Sequence, residues 1–300
     1  MTEPILEVTG LTKEFPIGGG FGRRKETLVA VDDVSFSVLP GEVLGLVGES
    51  GSGKSTTARC VMRLIEPTRG TVRFAGEDLL ALRGPRMRRV RRGMQMVFQD
   101  PYSSLDPRMK VEDIIAEGMV IHHVRSGAAA RRARVRELLE LVGLRPDHLT
   151  RRPANFSGGE RQRIGIARAL ALDPRLLICD EPVASLDVSI QAQILNLFKD
   201  LQQELGLSIV YIAHDLATVR HLCDRIAVMR DGRIQEIGDR DQIYGAPRSE
   251  YTKELIEAVP IPDPIRQREK QERGAALRRA AKAGPPAEVP TPAVAKAARP

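Results

Sequence analysis

The hydrophobic pattern changes period several times along this chain, and each change predicts an element. "ILEVTGLTKEF" alternates like a strand and then turns. "LVAVDDVSFSVLPGEVLGLVGES" reads as two strands joined at Pro40-Gly41, the second being the uninterrupted apolar run Val43–Val47. Helical spacing follows from Lys54 to Leu64 and ends near Pro67, and "GTVRFAGEDL" predicts a hairpin strand and turn. From Val111 to Ala171 the period is mostly helical, with Val135, Leu138, Leu139 and Val142 on one face of "ARRARVRELLELVGL". Beyond it, buried-strand runs ("RLLICDEP", "LSIVYIAHD", "RIAVMRDGRI") alternate with helical ones ("SIQAQILNLFKDLQQELG", "LATVRHLC"). Apolar strands alternating with helices predict a parallel α/β sheet covered on both faces, with the helical block inserted into it.

The last stretch breaks this rhythm. From Asp263 onward the sequence is Ala, Pro, Lys and Arg with almost no large apolar residue. Such a segment buries too little surface to offset its ordering entropy, so disorder is expected there. The glycine- and charge-rich loop "IGGGFGRRKETL" is expected to be mobile.

Composition narrows the class only a little. The 300 residues, 42% of them hydrophobic, suit one large domain or two closely joined ones. No apolar run reaches the roughly 18–20 residues that span a bilayer, and the first residues lack the build of a signal peptide, so a cytoplasmic protein is expected. Cys60, Cys179 and Cys223 are widely separated and form no CxxC pair, which argues for buried small hydrophobes over a disulfide or metal framework. The net charge of +7 is concentrated: nine basic against four acidic residues after Pro262 give the tail +5, leaving about +2 for the rest. A second basic cluster runs from Arg83 to Arg92, where a solvated helix face competes with contact to a partner or to anionic lipid headgroups. Charge distributed this way does not by itself make a nucleic-acid binder.

The chemistry begins at "GESGSGKST", Gly48 to Thr56, which fits GxxxxGK[ST] between a predicted strand and a predicted helix. Gly48, Gly51 and Gly53 let the backbone close around phosphate oxygens with its N–H groups inward. Lys54 would lie against the β- and γ-phosphates and the Ser55 hydroxyl would ligate Mg²⁺. The strand of "LLICDEP" delivers Asp180 and Glu181 at its C-terminal edge, where open α/β sheets bind ligands. Asp180 would hold Mg²⁺ through water, and Glu181 would take a proton from an attacking water. Yet "NFSGGERQRIGIARAL" also opens a helix on a Ser-Gly-Gly, a second place where bare N–H groups and the helix dipole favour an anion.

Six segments in order resolve that duplication: "LVGESGSGKST", "MVFQDPYSSLDPRM", "FSGGERQRIGIARAL", "LLICDEPVASLDVSIQAQILNL", "YIAHDLATVRHLCDRIAVM" and "YTKELIEAVPIPDP". Together, over about Leu6 to Asp263, they resemble the ATP-binding-cassette (ABC) transporter ATPases, and closely the ATP-binding subunits of bacterial oligopeptide and dipeptide importers. The resemblance implies a P-loop fold of ABC type: a mixed, mainly parallel sheet core, an antiparallel β subdomain and an α-helical subdomain inserted at about 101–171, all within 1–262. It implies ATP and Mg²⁺ as cofactors, with Glu49, Ser50, Ser52 and Thr56 completing the nucleotide loop. It also implies head-to-tail pairing of two cassettes, in which Ser157, Gly158 and Gly159 close over the γ-phosphate held by the partner's loop.

Further roles carry over residue by residue. Phe15 matches the aromatic that stacks on adenine, with a plain core phenylalanine as the alternative. Gln99 matches the glutamine that touches Mg²⁺ and the attacking water, Asp187 the loop at the pairing interface, and His214 the histidine that contacts the γ-phosphate. One departure is Glu160, where the family usually has Gln; a carboxylate there would weaken nucleotide binding or pair with Arg161 or Arg163. No cysteine follows Cys223, so the iron–sulfur cluster of some peptide-importer subunits is not expected.

The implied assembly is peripheral on the cytoplasmic face of the membrane. It has a second ABC ATPase subunit, identical or homologous, two membrane-spanning permease subunits, and indirectly a periplasmic or lipid-anchored solute-binding protein. Peptides or related solutes would be the cargo, and no nucleic acid is expected. The competing readings are a non-transport ABC ATPase acting on nucleic acid or ribosomes, and a small-acceptor P-loop kinase. The first usually shows long coiled coils, zinc-binding cysteines or tandem cassettes, and the second has no use for Ser157–Gly159 or His214.

Overall fold

Two sheets share one core in the computed structural model, which describes residues 2–17, 26–100 and 104–258. The segments 18–25, 101–103 and 259–300 lie outside the described residues. With them go most of the glycine-rich loop, part of "QDPYSSLDPRM", and the whole basic tail.

The first sheet is antiparallel, in the order β2-β1-β4-β5, from β1 (Leu6–Ile17), β2 (Glu26–Val38), β4 (Arg69–Phe74) and β5 (Glu77–Asp78). The strand expected to turn after Phe15 instead runs on to Ile17. Phe15 faces Leu28 and Ile17 faces Glu26 in the β1–β2 register, so pairing with a distant strand extends it. The second sheet has six strands in the order β10-β9-β3-β8-β7-β6. They are β3 (Val43–Val47), β6 (Met94–Val97), β7 (Leu176–Asp180), β8 (Ser208–Ala213), β9 (Arg225–Arg230) and β10 (Arg233–Asp239). β6, β7, β8, β3 and β9 are parallel, and every residue of β3, β7 and β8 is buried, as continuous apolar runs require. The sheet is mixed, as expected: at its edge β10 hairpins back antiparallel to β9 around Asp231 and Gly232.

The helices are α1 (Lys54–Val61), α2 (Gly84–Gly93), α3 (Val111–Ile121), α4 (Ala128–Leu141), α5 (Gly158–Leu170), α6 (Val188–Leu205), α7 (Leu216–Val219), α8 (Arg240–Gly245) and α9 (Glu250–Ala258). α3, α4 and α5 lie in sequence between β6 and β7, as the helical block predicts. α1 stops at Val61, short of the expected Leu64. Arg63 takes a positive φ of 50° there, and its guanidinium donates to the carbonyls of Leu79 and Leu82 at 2.9 and 2.6 Å. Side chains of β1, β2, β4, α1, α2 and the six-stranded sheet enter a single apolar cluster, so the two sheets are welded by burial. All three cysteines are free and buried, as expected. Residues up to Ile256 form one compact unit; a second starts at Glu257, of which Glu257 and Ala258 are described as the end of α9. No helix among the described residues is long and apolar enough to cross a membrane.

Candidate nucleotide site

The loop between β3 and α1 is shaped by backbone that a side chain would spoil. Gly53, the residue before α1, has φ +99°, and a Cβ there would collide with the Ala30 carbonyl; one at Gly48 would collide with the Met229 carbonyl. The loop is pinned by Gly232 N–H donating to the Ser52 carbonyl at 3.1 Å. Lys54, the first residue of α1, is 3% exposed, and its Nζ donates to the carbonyls of Gly48 at 2.6 Å and Glu49 at 2.8 Å. Burial pushes the ammonium's pKa down, against the opposing pull of Glu181 and Asp180.

Strand β7 ends on Asp180, buried, whose Oδ1 accepts from the Ser55 hydroxyl at 2.7 Å. Glu181 follows with φ +46°, a left-handed backbone uncommon outside glycine, held by its N–H donating to the Ile212 carbonyl at 3.1 Å. Such a conformation costs roughly 1–2 kcal/mol per residue and aims the carboxylate back over the loop. There, Glu181 Oε1 lies 3.8 Å from Lys54 Nζ, and Oε2 accepts from the Gln99 amide at 3.3 Å and lies 3.9 Å from His214 Nδ1. His214 is half exposed, with Nε2 3.3 Å from Asp215 Oδ2.

A cleft of about 540 Å³ is lined by Phe15, Ser50, Gly51, Gly53, Lys54, Ser55, Thr56, Gln99 and Glu181; Gly48, Glu49, Ser52, Asp180 and His214 are not in its lining, and Asp180 and His214 stand behind it against Ser55 and Glu181. Phe15 is half-buried with Lys13 Nζ 4.9 Å from its ring centroid, which leaves it at the cleft wall and not in the core. The cleft also takes Leu28, Val29 and Ala30 from β2 and Asp231 and Gly232 from the β9–β10 turn. Sequence reading missed those five. The only signal for them was the Asp-Gly turn of "MRDGRI", which names a turn and not its neighbour.

An anion fits this cradle: a buried cation and a glycine loop at a helix N-terminus, with Glu181, at 3.8 Å, the carboxylate paired with Lys54 among the described residues. A divalent cation fits Ser55 and Asp180, both hard oxygen donors. Two protein oxygens are too few for a full shell, so phosphate oxygens and water would supply the rest.

Ser157, Gly158 and Gly159 are not among the residues lining this cleft. Ser157 N-caps α5 in a capping box with Glu160: the Ser157 N–H and Oγ each donate to Glu160 Oε2 at 2.8 Å, and Glu160 N–H donates to Ser157 Oγ at 3.4 Å. The Ser157 N–H holds the Glu160 carboxyl below its usual range, with burial opposing and the Ser157 hydroxyl adding to the effect. Neither arginine pairing considered for Glu160 occurs. Arg161 donates to the Pro153 carbonyl at 2.8 Å, and Arg163 to the Val142 carbonyl at 2.6 Å. A Cβ on Gly159 would sit 2.6 Å from Ile190 Cγ2, so this tip packs on the start of α6. Asp187 caps α6, accepting from Ile190 N–H at 3.0 Å and Ser189 Oγ at 2.8 Å, and Val188 beside it is 81% exposed.

Comparison with known proteins shows the family and the fold. The family model described as "ABC transporter" matches residues 31–184. The chain is 52% identical over 269 residues to the oligopeptide transport ATP-binding protein OppF of Bacillus subtilis, covering 89% of this chain and 86% of that protein. It is 53% identical over 266 residues to OppF of Streptococcus mutans, covering 89% and 85%. Among solved structures, the dimeric post-hydrolysis state of the ATP-binding cassette MJ0796 bound to ADP and Pi superposes with a TM-score of 0.70 at 28% identity, over 78% of this chain and 98% of that one. CbiO1 of Clostridium perfringens, part of the transporter complex cbiONQ, superposes with a TM-score of 0.68 at 27% identity, over 81% and 91%. With the phosphate loop, the strand-end carboxylates and a match across most of its length, the chain belongs to the ABC transporter family.

Proposed function

We propose that this chain is the ATP-hydrolysing subunit of an importer for peptides or related solutes, working on the cytoplasmic face of the membrane. The observation that carries the reading is the convergence of Lys54, Ser55, Gln99 and Glu181 on one cleft, with Asp180 hydrogen-bonded to Ser55 behind it. As in its family, ATP with Mg²⁺ is the substrate couple. The loop from Gly48 to Thr56 embraces the phosphates, Lys54 meets the β- and γ-oxygens, and Ser55, Asp180 and Gln99 would hold the cation. Glu181 takes a proton from the water attacking the γ-phosphorus, Gln99 holds that water, His214 contacts the γ-phosphate and Phe15 the adenine.

Ser157, Gly158 and Gly159 serve the nucleotide of a second cassette, identical or homologous, with Asp187 at the shared interface. Their position outside this chain's own cleft supports that arrangement. So does the dimeric state of the cassette MJ0796. Two permease subunits complete the assembly and a solute-binding protein acts on it indirectly; that CbiO1 is part of a transporter complex supports membership of an assembly of this kind. The peptide cargo is supported by the names of the relatives in Bacillus and Streptococcus. The core spans 1–262 with its helical subdomain at about 101–171.

Glu181→Gln tests the reading. Losing a general base lowers turnover by about 10²–10⁴-fold, while ATP binding persists and a paired form accumulates with ATP. Undiminished hydrolysis in this variant, or hydrolysis by a strict monomer, overturns it.

A further inference from the structure

The aromatic side of the nucleotide cleft is backed by a cation. Lys13 and Phe15 stand two residues apart on β1, a spacing that returns side chains to one face of a strand, and Lys13 Nζ lies 4.9 Å from the Phe15 ring centroid. The ammonium is fixed there, because it donates to the Glu66 carbonyl in the turn after α1 at 2.9 Å. The carboxylates beside it are taken by other cations: Arg63 holds Glu66 and Arg69 holds Glu14, each at 2.8 Å. Lys13 makes no ion pair among the described residues, so a carbonyl and a ring are what its charge meets.

Position relative to the cleft decides what this contact can do. Phe15 lines the cleft and Lys13 does not. The ammonium thus stands outside the cleft, against a ring that borders it, and Leu28 and Val29, 51% and 42% exposed, continue the same apolar wall. A phenylalanine has no polar handle to fix its ring, so packing and the ammonium set its orientation. A cation over one face of a ring attracts π density to itself, which leaves the other face less repulsive to the electrons of a stacked base. Both effects act on a flat base and not on phosphate, for which the loop has its own buried cation in Lys54.

We propose that Lys13 is a positioning residue for the base of the bound nucleotide: it holds the Phe15 ring and strengthens its stacking on a purine. This rests on the reading that Phe15 takes the adenine. A lysine that only tied β1 to the turn after α1 would change stability without distinguishing one ligand from another. A lysine acting as a remote charge would instead favour any phosphate.

The test measures equilibrium binding of ADP and of pyrophosphate to the full chain by isothermal titration calorimetry, pyrophosphate being the probe that carries phosphates and no base. A cation–π contact at a partly exposed site corresponds to about a threefold factor, so Lys13→Met should raise the Kd of ADP about threefold and leave that of pyrophosphate unchanged. Lys13→Arg, which keeps a cation over the ring, should restore ADP binding. In a Phe15→Leu background Lys13→Met should have no further effect on ADP, and kcat for ATP should stay at the parent value in both Lys13 variants. Unchanged ADP binding in Lys13→Met, equal weakening of ADP and pyrophosphate, additive losses from Lys13→Met and Phe15→Leu, an arginine that fails to restore binding, or a fall in kcat would each overturn the proposal. Parent-like ADP binding in Phe15→Leu would strike the reading of Phe15 itself, and the role of Lys13 with it.

Discussion

Replacing Glu236 with glutamine would remove the charge that ties the turn before α9 to β10. Glu236 on β10 is 8% exposed, and it accepts from Gln242 Nε2 and Arg248 N–H at 2.9 Å and from Ser249 N–H at 3.0 Å. Burial alone would raise its pKa, yet these donors outweigh burial and hold it at about 2, from an ordinary 4.5. The native state therefore prefers the charged form, and its contribution is complete above pH 4.5 and disappears as pH falls towards 2. The difference amounts to about 3 kcal/mol at neutral pH, of which about 1.4 kcal/mol is gone by pH 3.5. In glutamine, one oxygen becomes an NH₂ facing N–H donors, so most of that stabilisation is lost at every pH. Urea unfolding followed by far-UV circular dichroism is the assay, since the chain has no tryptophan. With a urea slope of about 3 kcal/mol/M, the variant's midpoint drops by about 1 M at pH 7, and the gap narrows towards pH 3.5. Midpoint curves that stay parallel from pH 7 to pH 3.5 would refute the assignment of a charged, donor-saturated Glu236.

Two other substitutions probe the nucleotide machinery. Tyr251 on α9, buried against Arg230, accepts at 3.4 Å from the N–H of Glu49, whose carbonyl in turn holds Lys54. Tyr251→Phe should raise the KM for ATP about threefold with kcat and melting temperature kept, since one neutral hydrogen bond contributes about 0.5–1.5 kcal/mol; a fall in kcat with KM unchanged would deny the link. Glu160→Gln keeps a side-chain oxygen for the Ser157 cap and removes a negative charge from the α5 tip. A charge in a helix's first turn is worth about 0.3–1 kcal/mol, so ATP-driven pairing in the Glu181→Gln background should need up to about fivefold less ATP. A requirement for more ATP would mean that the carboxylate assists pairing.

The parts of the site legible in the sequence are those where one local segment fixes both position and chemistry. Lys54 sits between an unbroken apolar run and a helical one, so the strand–loop–helix follows from its neighbours; Asp180 and Glu181 end another such run and reach the same sheet edge by parallel topology. What escaped depends on contacts across the chain. Leu28–Ala30 reach the cleft only because β2 passes over Gly53, and Gly232 only because its N–H binds Ser52. The left-handed backbone of Glu181 is imposed from β8, through Ile212. Glu160 looked ready for a neighbouring arginine, but a serine three residues back in the first turn offers two donors to one oxygen at no loop-closure cost.

The two surfaces proposed to bind phosphate share one physical feature that bears on why they would work as a pair. Neither is left unsatisfied: Lys54 is held by the carbonyls of Gly48 and Glu49 with Glu181 nearby, and Ser157 is held by Glu160. A triphosphate meeting either surface alone exchanges existing hydrogen bonds for new ones, and such exchanges gain little net free energy. At both surfaces an internal carboxylate already stands close to the group that would bind the incoming anion. On the proposed arrangement, one nucleotide displaces both sets of partners at once while the surfaces around Val188 leave water. Tight binding would then follow from closure of the pair and not from either half. It follows that Ser157→Ala should weaken ATP-driven pairing while leaving the first encounter of ATP with the Lys54 cleft nearly unchanged. Equal loss in equilibrium binding by the monomer and in pairing would show that Ser157 acts within its own chain.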